Sequence, residues 1–194
     1  MRIGIMLFEG VEELDFAGPW EVLSAWSQLS PEDGVEVVTV ADDSALVNCA
    51  KGLKVLPDTT WDEAGRLDVL VLPGGWGSDR QLDEPLLHQR LQSLRRDGTL
   101  MTSVCSGALV FAKAGLLTNR PVTTHWSDID RLRELSPTSD VQPEARFLDS
   151  GEVITASGVS AGIDMALHLV ARLQSKDRAR QVRRYIQYDP APPV

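Results

Sequence analysis

The sequence predicts an α/β fold, a mostly parallel central sheet covered by helices on both faces. Three observations carry that expectation. Segments of strand and helix character alternate along the chain. The run 67-LDVLVL-72 is nearly continuous in apolar residues, as expected of a strand buried on both faces. Sharp turns rich in glycine or serine, 73-PGG-75 and 105-CSG-107, follow directly on strand-like segments.

Residues 2–7 read as the first strand. Residues 19–29 follow as a helix opened by Gly18-Pro19, with Val22, Leu23 and Trp26 spaced for one buried face. Residues 35–41 are β-branched and form the second strand. Residues 48–57 have the character of an excursion, a short hairpin. The third strand, 67–72, leads into a charged amphipathic helix over 82–96, which Gly98 ends. The fourth strand is 99–104, and residues 106–114 form a helix closed by Gly115. A short strand at 122–125 and a helix at 127–135 come next. Residues 145–148 and 152–156 flank Asp-Ser-Gly and read as a strand pair. Helices over 160–173 and 176–188 complete the chain, with 189-DPAPPV-194 as a Pro-rich stop.

The chain of 194 residues is expected to be one domain over 1–194; it shows no internal repeat and no low-complexity linker. Its composition, 43% hydrophobic and 24% charged, is that of a globular protein with a sizeable core. A net charge of -9 argues against nonspecific binding to nucleic acid or to anionic membranes. The first apolar run is short and broken by Glu9, so it reads as a strand and not as a signal peptide. No apolar run approaches the roughly 20 residues of a spanning helix. Two cysteines make neither a disulfide framework nor a zinc knuckle, and a reducing, cytoplasmic setting is expected.

In parallel α/β sheets the ligand crevice lies outside the carboxyl ends of the strands. A flavodoxin-like strand order, 2-1-3-4, would bring three post-strand loops together: 13-ELDFAGPWE-21, 73-PGGWGSD-79 and 105-CSGA-108. Cys105 stands where a strand turns into a helix, the layout of a nucleophile elbow. The helix amides and dipole are expected to favour its thiolate. The amides of Gly75 and Ser106 are candidates to bind developing negative charge. Asp15, flanked by Leu14 and Phe16, is a candidate proton donor, since a carboxyl among apolar groups has a raised pKa. Glu12 and Glu13 are expected to face solvent. His125, at the end of 123-TTHW-126, could pair with the thiol, line the pocket or hold a dimer contact. Trp76 and Trp126 adjoin the site and could line an apolar pocket. Cys49 and His168 read as structural, His88 as solvated, and the basic run 176–184 as a solvated helix face. No spacing indicates a metal, and no phosphate loop or dinucleotide fingerprint indicates a nucleotide cofactor.

The segments DFAGPWEVL, LVLPGG, TSVCSGALVFAKAGLL, TTHW, SGVSAGIDMALHLV and YIQYDPAPP, in this order, resemble the ThiJ/PfpI superfamily, with its flavodoxin-like, class I glutamine-amidotransferase-like fold. The branch the chain resembles is that of the isonitrile (isocyanide) hydratases. The resemblance implies a cofactor-free homodimer acting on a small molecule, with Cys105 as nucleophile, Asp15 as acid and Ser106 as the hydroxyl residue after the nucleophile. Ser106 replaces the Thr usual in that branch, and the absence of His after Cys105 excludes the protease-like triad. Some transcription regulators carry a similar domain; the acidic chain, stopping at Val194, is expected not to be one. Two alternatives stay open on the residues alone: a glyoxalase-type hydratase of α-oxoaldehydes, and a redox sensor or binding protein using the same cysteine.

Overall fold

The computed structural model describes residues 1–189, so the Pro-rich stop expected over 190–194 lies outside the described residues. The first half of the chain contains β1 (Arg2–Met6), α1 (Glu13–Leu29), β2 (Glu36–Ala41), β3 (Val47–Asn48), β4 (Lys54–Val55), β5 (Thr59–Thr60), β6 (Val69–Leu72), α2 (Ser78–Gln81) and α3 (Pro85–Arg96). The second half contains β7 (Leu100–Val104), α4 (Gly107–Lys113), β8 (Pro121–Val122), α5 (Ile129–Leu135), β9 (Asp140–Val141), β10 (Phe147–Asp149), β11 (Val153–Ala156), α6 (Ala161–Leu173) and α7 (Lys176–Tyr185).

The main sheet has seven strands in the order β10-β11-β7-β6-β1-β2-β5. Its neighbours are parallel except for the edge pair β10–β11. The four strands expected from sequence are thus arranged 2-1-3-4. Helices α1, α6 and α7 pack on one another to form one covering layer, and α2, α3 and α5 gather around α4 to form the other. Covering both faces explains why every residue of β6 is buried and why no polar alternation appears there. Ile3, Ile5, Leu70, Leu72 and Met101 are fully buried between the layers, each contributing about 1.5–3 kcal/mol of transfer free energy.

Two expectations need correction. The first long helix starts at Glu13 and keeps Pro19 inside it. Pro19 cannot donate to the carbonyl four residues back, but packing against α6 outweighs that loss. A Cβ on Gly18 would meet Ile163 at 3.0 Å, and one on Gly162 would meet the Pro19 ring at 3.1 Å, so the two glycines let the helices close up. Asp15 therefore sits in the first turn of a helix and not in a loop before it. The strand expected over 122–125 is confined to β8, which pairs with β9 outside the main sheet. The basic run of α7 is the expected solvated face at Lys176, Arg180, Arg183 and Arg184, with Val182 buried beneath it; Arg178 is half-buried and bonds Asp33 and Glu32. The excursion after β2 is the expected hairpin, β3 against β4.

Candidate functional site

The loops after β1, β6 and β7 meet at the carboxyl ends of their strands. The Gly77 amide donates to the Gly10 carbonyl at 3.1 Å, and the Glu12 amide donates to Gly74 at 2.9 Å. These bonds hold the start of α1 against the Pro73-Gly74-Gly75 turn. Close approach requires glycine at 74: an added Cβ would lie 2.4 Å from Ser106 Oγ, 2.6 Å from its backbone nitrogen and 3.0 Å from Asp15 Oδ2.

Cys105 occupies the turn between β7 and α4 with φ at 57°, the left-handed region that an L residue enters at a cost. Its backbone is pinned on both sides. The N–H donates to the carbonyls of Ala156 and Ser157 at 3.2 and 3.0 Å, and the C=O accepts the Thr124 hydroxyl at 2.7 Å. The amides of Ser106 and Val159 hydrogen-bond the sulfur.

Burial works against the expected thiolate. Burial pushes the Cys105 thiol up to about 12, the nearby Asp15 charge adds to this, and the two amides only partly oppose it. Only 8% of the residue is exposed, so loss of water outweighs helix-terminus stabilisation. Asp15 is fully buried, and burial raises its carboxyl to about 7. The Gly74 amide, donating to Oδ2 at 2.9 Å, lowers it, and the Glu12 charge raises it. The Cys105 thiol lowers it weakly, as does the Lys51 charge. Oδ1 is buried without a hydrogen-bond partner of ordinary geometry. The carboxyl expected near neutrality is therefore beside the thiol.

A cleft of about 270 Å³ opens on Cys105 and Ser106. Gly75, Trp76, His125 and Val159 also line it, together with charged groups from Glu12, Asp79, Asp128 and Arg131. The wall is as much polar as apolar, so the apolar pocket that the tryptophans could have lined is only half apolar. Trp76 stands at this cleft, 81% exposed. Trp126 does not line it; it is 78% exposed and faces a neighbouring depression with Pro143 and Arg146. The Gly75 amide is not free to bind charge, because it donates to Ser106 Oγ at 3.0 Å. Ser106 Oγ in turn donates to Ser78 Oγ at 3.1 Å, so the hydroxyl braces the turn and does not orient Asp15. The amide of Val159 joins that of Ser106 at the sulfur.

His125 lines the cleft without a bond to Cys105 or Asp15. Its Nδ1 lies 2.7 Å from Ser127 Oγ and caps the Trp126–Asp128 turn, while its ring rests on Gly158, where a Cβ would fall 2.3 Å from Cδ2. Glu12 and Glu13 are not solvent-facing as expected. Both are half-buried and bound to Lys51, Glu12 by its ammonium and Glu13 Oε1 by its amide at 2.7 Å. His88 is half-buried, its Nε2 3.1 Å from the Gln81 carbonyl. His168 pairs with Asp149 at 2.7 Å, and Cys49 is buried, with its thiol raised to about 11 by burial and then by the charges of Glu13 and Glu9. Thr124 and Val159 were missed from sequence because they act on Cys105 through backbone geometry. The repeated Thr before His125 and the Gly-Val at the start of α6 were the only local signals. Among the described residues no cluster of three or more His, Cys, Asp or Glu side chains could hold a metal ion. No helix among them is long and apolar enough to cross a membrane.

A flavodoxin-like α/β/α sandwich with a cysteine at a strained strand–helix elbow defines the class of this protein. The chain belongs to the DJ-1/PfpI family, whose sequence pattern matches residues 1–172. It is 35% identical over 194 residues to an isonitrile hydratase from Pseudomonas putida, covering all of this chain and 81% of that protein. It is 27% identical over 187 residues to the HTH-type transcriptional regulator GbdR of Pseudomonas aeruginosa, but spans 50% of that regulator's length. The crystal structure of a ThiJ/PfpI family protein from Pseudomonas syringae superposes with a TM-score of 0.88 at 30% identity, covering 100% of this chain and 77% of the other.

Proposed function

We propose that the chain is a cofactor-free, cysteine-dependent hydratase that converts isonitriles to N-substituted formamides. The observation that carries this reading is the placement of Asp15 beside Cys105 at the elbow: a buried carboxyl near neutrality next to a protonated thiol. Full-length similarity to the Pseudomonas putida isonitrile hydratase supports the substrate class.

The competent form holds a single proton between the two groups, which titrate as a pair. Cys105 Sγ bonds to the terminal carbon of R–N≡C as its proton passes to Asp15. Asp15 then delivers that proton to the same carbon, giving the thioimidate Cys105–S–CH=N–R. Water adds to this carbon, the C–S bond breaks, nitrogen and sulfur each end with a proton, and R–NH–CHO leaves. The sum is R–N≡C plus water, with the thiol regenerated. The amides of Ser106 and Val159 stabilise the sulfur as it sheds its proton, and the covalent route splits one hard step into two easier ones. Trp76 and His125 line the substrate's path. On the same resemblance we infer a homodimer, which a monomer mass by light scattering would rule out.

The test is turnover of p-nitrophenyl isonitrile by the wild type and by Cys105→Ala, with formamide detected directly. Formamide made only by the wild type is the expected result. Turnover retained in Cys105→Ala would remove the covalent mechanism. Methylglyoxal assayed in parallel would expose an aldehyde hydratase on the same elbow.

A further inference from the structure

The half-buried carboxylate of Asp128 in the cleft wall lacks both of the partners its position would normally give it. It is the N-cap residue of α5, where an aspartate usually accepts an amide of the first turn, yet its side chain makes no capping bond. It has no salt bridge among the described residues, because the nearby Arg131 is committed to Asp79 at 2.6 Å. Glu12, on the same cleft, is held by Lys51. Asp128 is thus the one carboxylate in the wall that no ion pair holds, although the His125 and Arg131 charges reach it.

The cleft is a site on independent grounds, since it opens on the elbow thiol backed by the unpartnered Oδ1 of Asp15. Trp76 adds an exposed indole at the same cleft, and an aromatic face attracts a cation as a carboxylate does. We propose that Asp128 is the counter-ion for a cationic group on the substrate, so that the cleft selects isonitriles whose substituent ends in a protonated amine. This rests on the isonitrile hydratase reading for the reacting end and deepens it at the other end. Burial holds the Asp128 carboxyl above its usual range; the His125 and Arg131 charges lower it without offsetting burial, and the Asp79 charge adds to the rise, so an arriving ammonium would relieve what remains. An anionic substituent would meet Asp128, beside Glu12 and Asp79 already paired with Lys51 and Arg131.

The experiment compares kcat/KM for three isonitriles of similar length: 3-(dimethylamino)propyl, protonated at neutral pH, n-butyl, and 2-carboxyethyl. The expected order is ammonium over neutral over carboxylate, with about tenfold between the first two, as suits a partly desolvated charge pair. Asp128→Asn should bring the ammonium-to-neutral ratio close to one. Asp130→Asn, on the exposed face of α5 and bound to Arg133, should leave the ratio intact. A wild-type ratio at or below one, or a ratio that survives Asp128→Asn, would overturn the proposal. If no isonitrile is turned over, the hydratase reading fails separately, and calorimetric titration of the Cys105→Ala protein with dimethylpropylammonium chloride decides the Asp128 claim. Binding lost in Asp128→Asn supports it, and equal or absent binding in both proteins refutes it.

Discussion

Asp15 accepts the backbone N–H of Gly74 at 2.9 Å through Oδ2, which fixes its carboxyl in a dry position beside Cys105. One oxygen is thereby satisfied, and the other has no partner of ordinary hydrogen-bond geometry, with the Cys105 thiol acting on the carboxyl. A fixed carboxyl with one uncommitted oxygen is suited to passing a proton rather than to holding a permanent charge.

The first consequence is a pH profile. The competent pair holds one proton, so kcat/KM should rise as pH passes through about 7, the point at which Asp15 loses its proton. It should fall again only near about 12, where the thiol would deprotonate. Asp15→Asn should abolish turnover at every pH. An acidic limb near pH 4 in the wild type would show that Asp15 is an ordinary carboxylate.

Asp15 also makes stability depend on pH. A carboxyl raised from 3.8 to about 7 in the folded state binds more protons folded than unfolded between those values. Its stabilising contribution is full below 3.8 and is lost as pH rises to about 7. The total is at most about 4 kcal/mol, from roughly 1.4 kcal/mol per pKa unit. Asp15→Asn keeps an acceptor for Gly74 and cannot ionise, so it should melt higher than the wild type at pH 8. The difference should shrink toward pH 4. Equal melting temperatures at pH 8 would argue that the carboxyl is not desolvated.

Thr124 is expected to act as a positioning residue through the Cys105 carbonyl. Thr124→Val preserves shape but leaves that buried carbonyl without its donor, which costs about 1–3 kcal/mol of stability. A misplaced thiol should lower kcat about tenfold with little change in KM, consistent with loss of near-attack geometry. Thr124→Ser should recover kcat. Loss of stability with kcat unchanged would confine Thr124 to a structural role.

Gly74→Ala tests the crowding between the β6 turn and the elbow. The new methyl would fall against the backbone nitrogen of Ser106 at 2.6 Å, a group that cannot rotate away. Overpacking of this kind costs about 1–3 kcal/mol, and relief requires Asp15 or the elbow to shift. Turnover should fall more than melting temperature. A fully active Gly74→Ala protein would contradict the close packing of the turn.

The parts of this arrangement that depend on chain-local chemistry were legible in the sequence. Buried parallel strands announce themselves as apolar runs, and Cys105 stands at a strand–helix junction whatever surrounds it. Asp15 was legible because Leu14 and Phe16 promise a carboxyl in an apolar setting. The resting state of the thiol was not, since a helix terminus is visible in sequence and the depth of burial is not. Pro19 misled the placement of α1 because its cost is local while the Gly18 and Gly162 contacts that outweigh it are remote. Thr124 and Val159 reach the elbow from distant loops, and nothing about a threonine or a valine by itself marks such a role.

The positive φ of Cys105 has a consequence for how this sequence could have been shaped. A side chain in the left-handed region costs about 1–2 kcal/mol, and the buried, partnerless oxygen of Asp15 adds a second local frustration a few ångströms deep in the same corner. Cys105→Gly would relieve the first, and Asp15→Asn would remove the ionisable group from the second, so mutation guided by folding alone would drift toward both. A thiol and an acid kept there are what the proposed hydratase would need at the expense of stability.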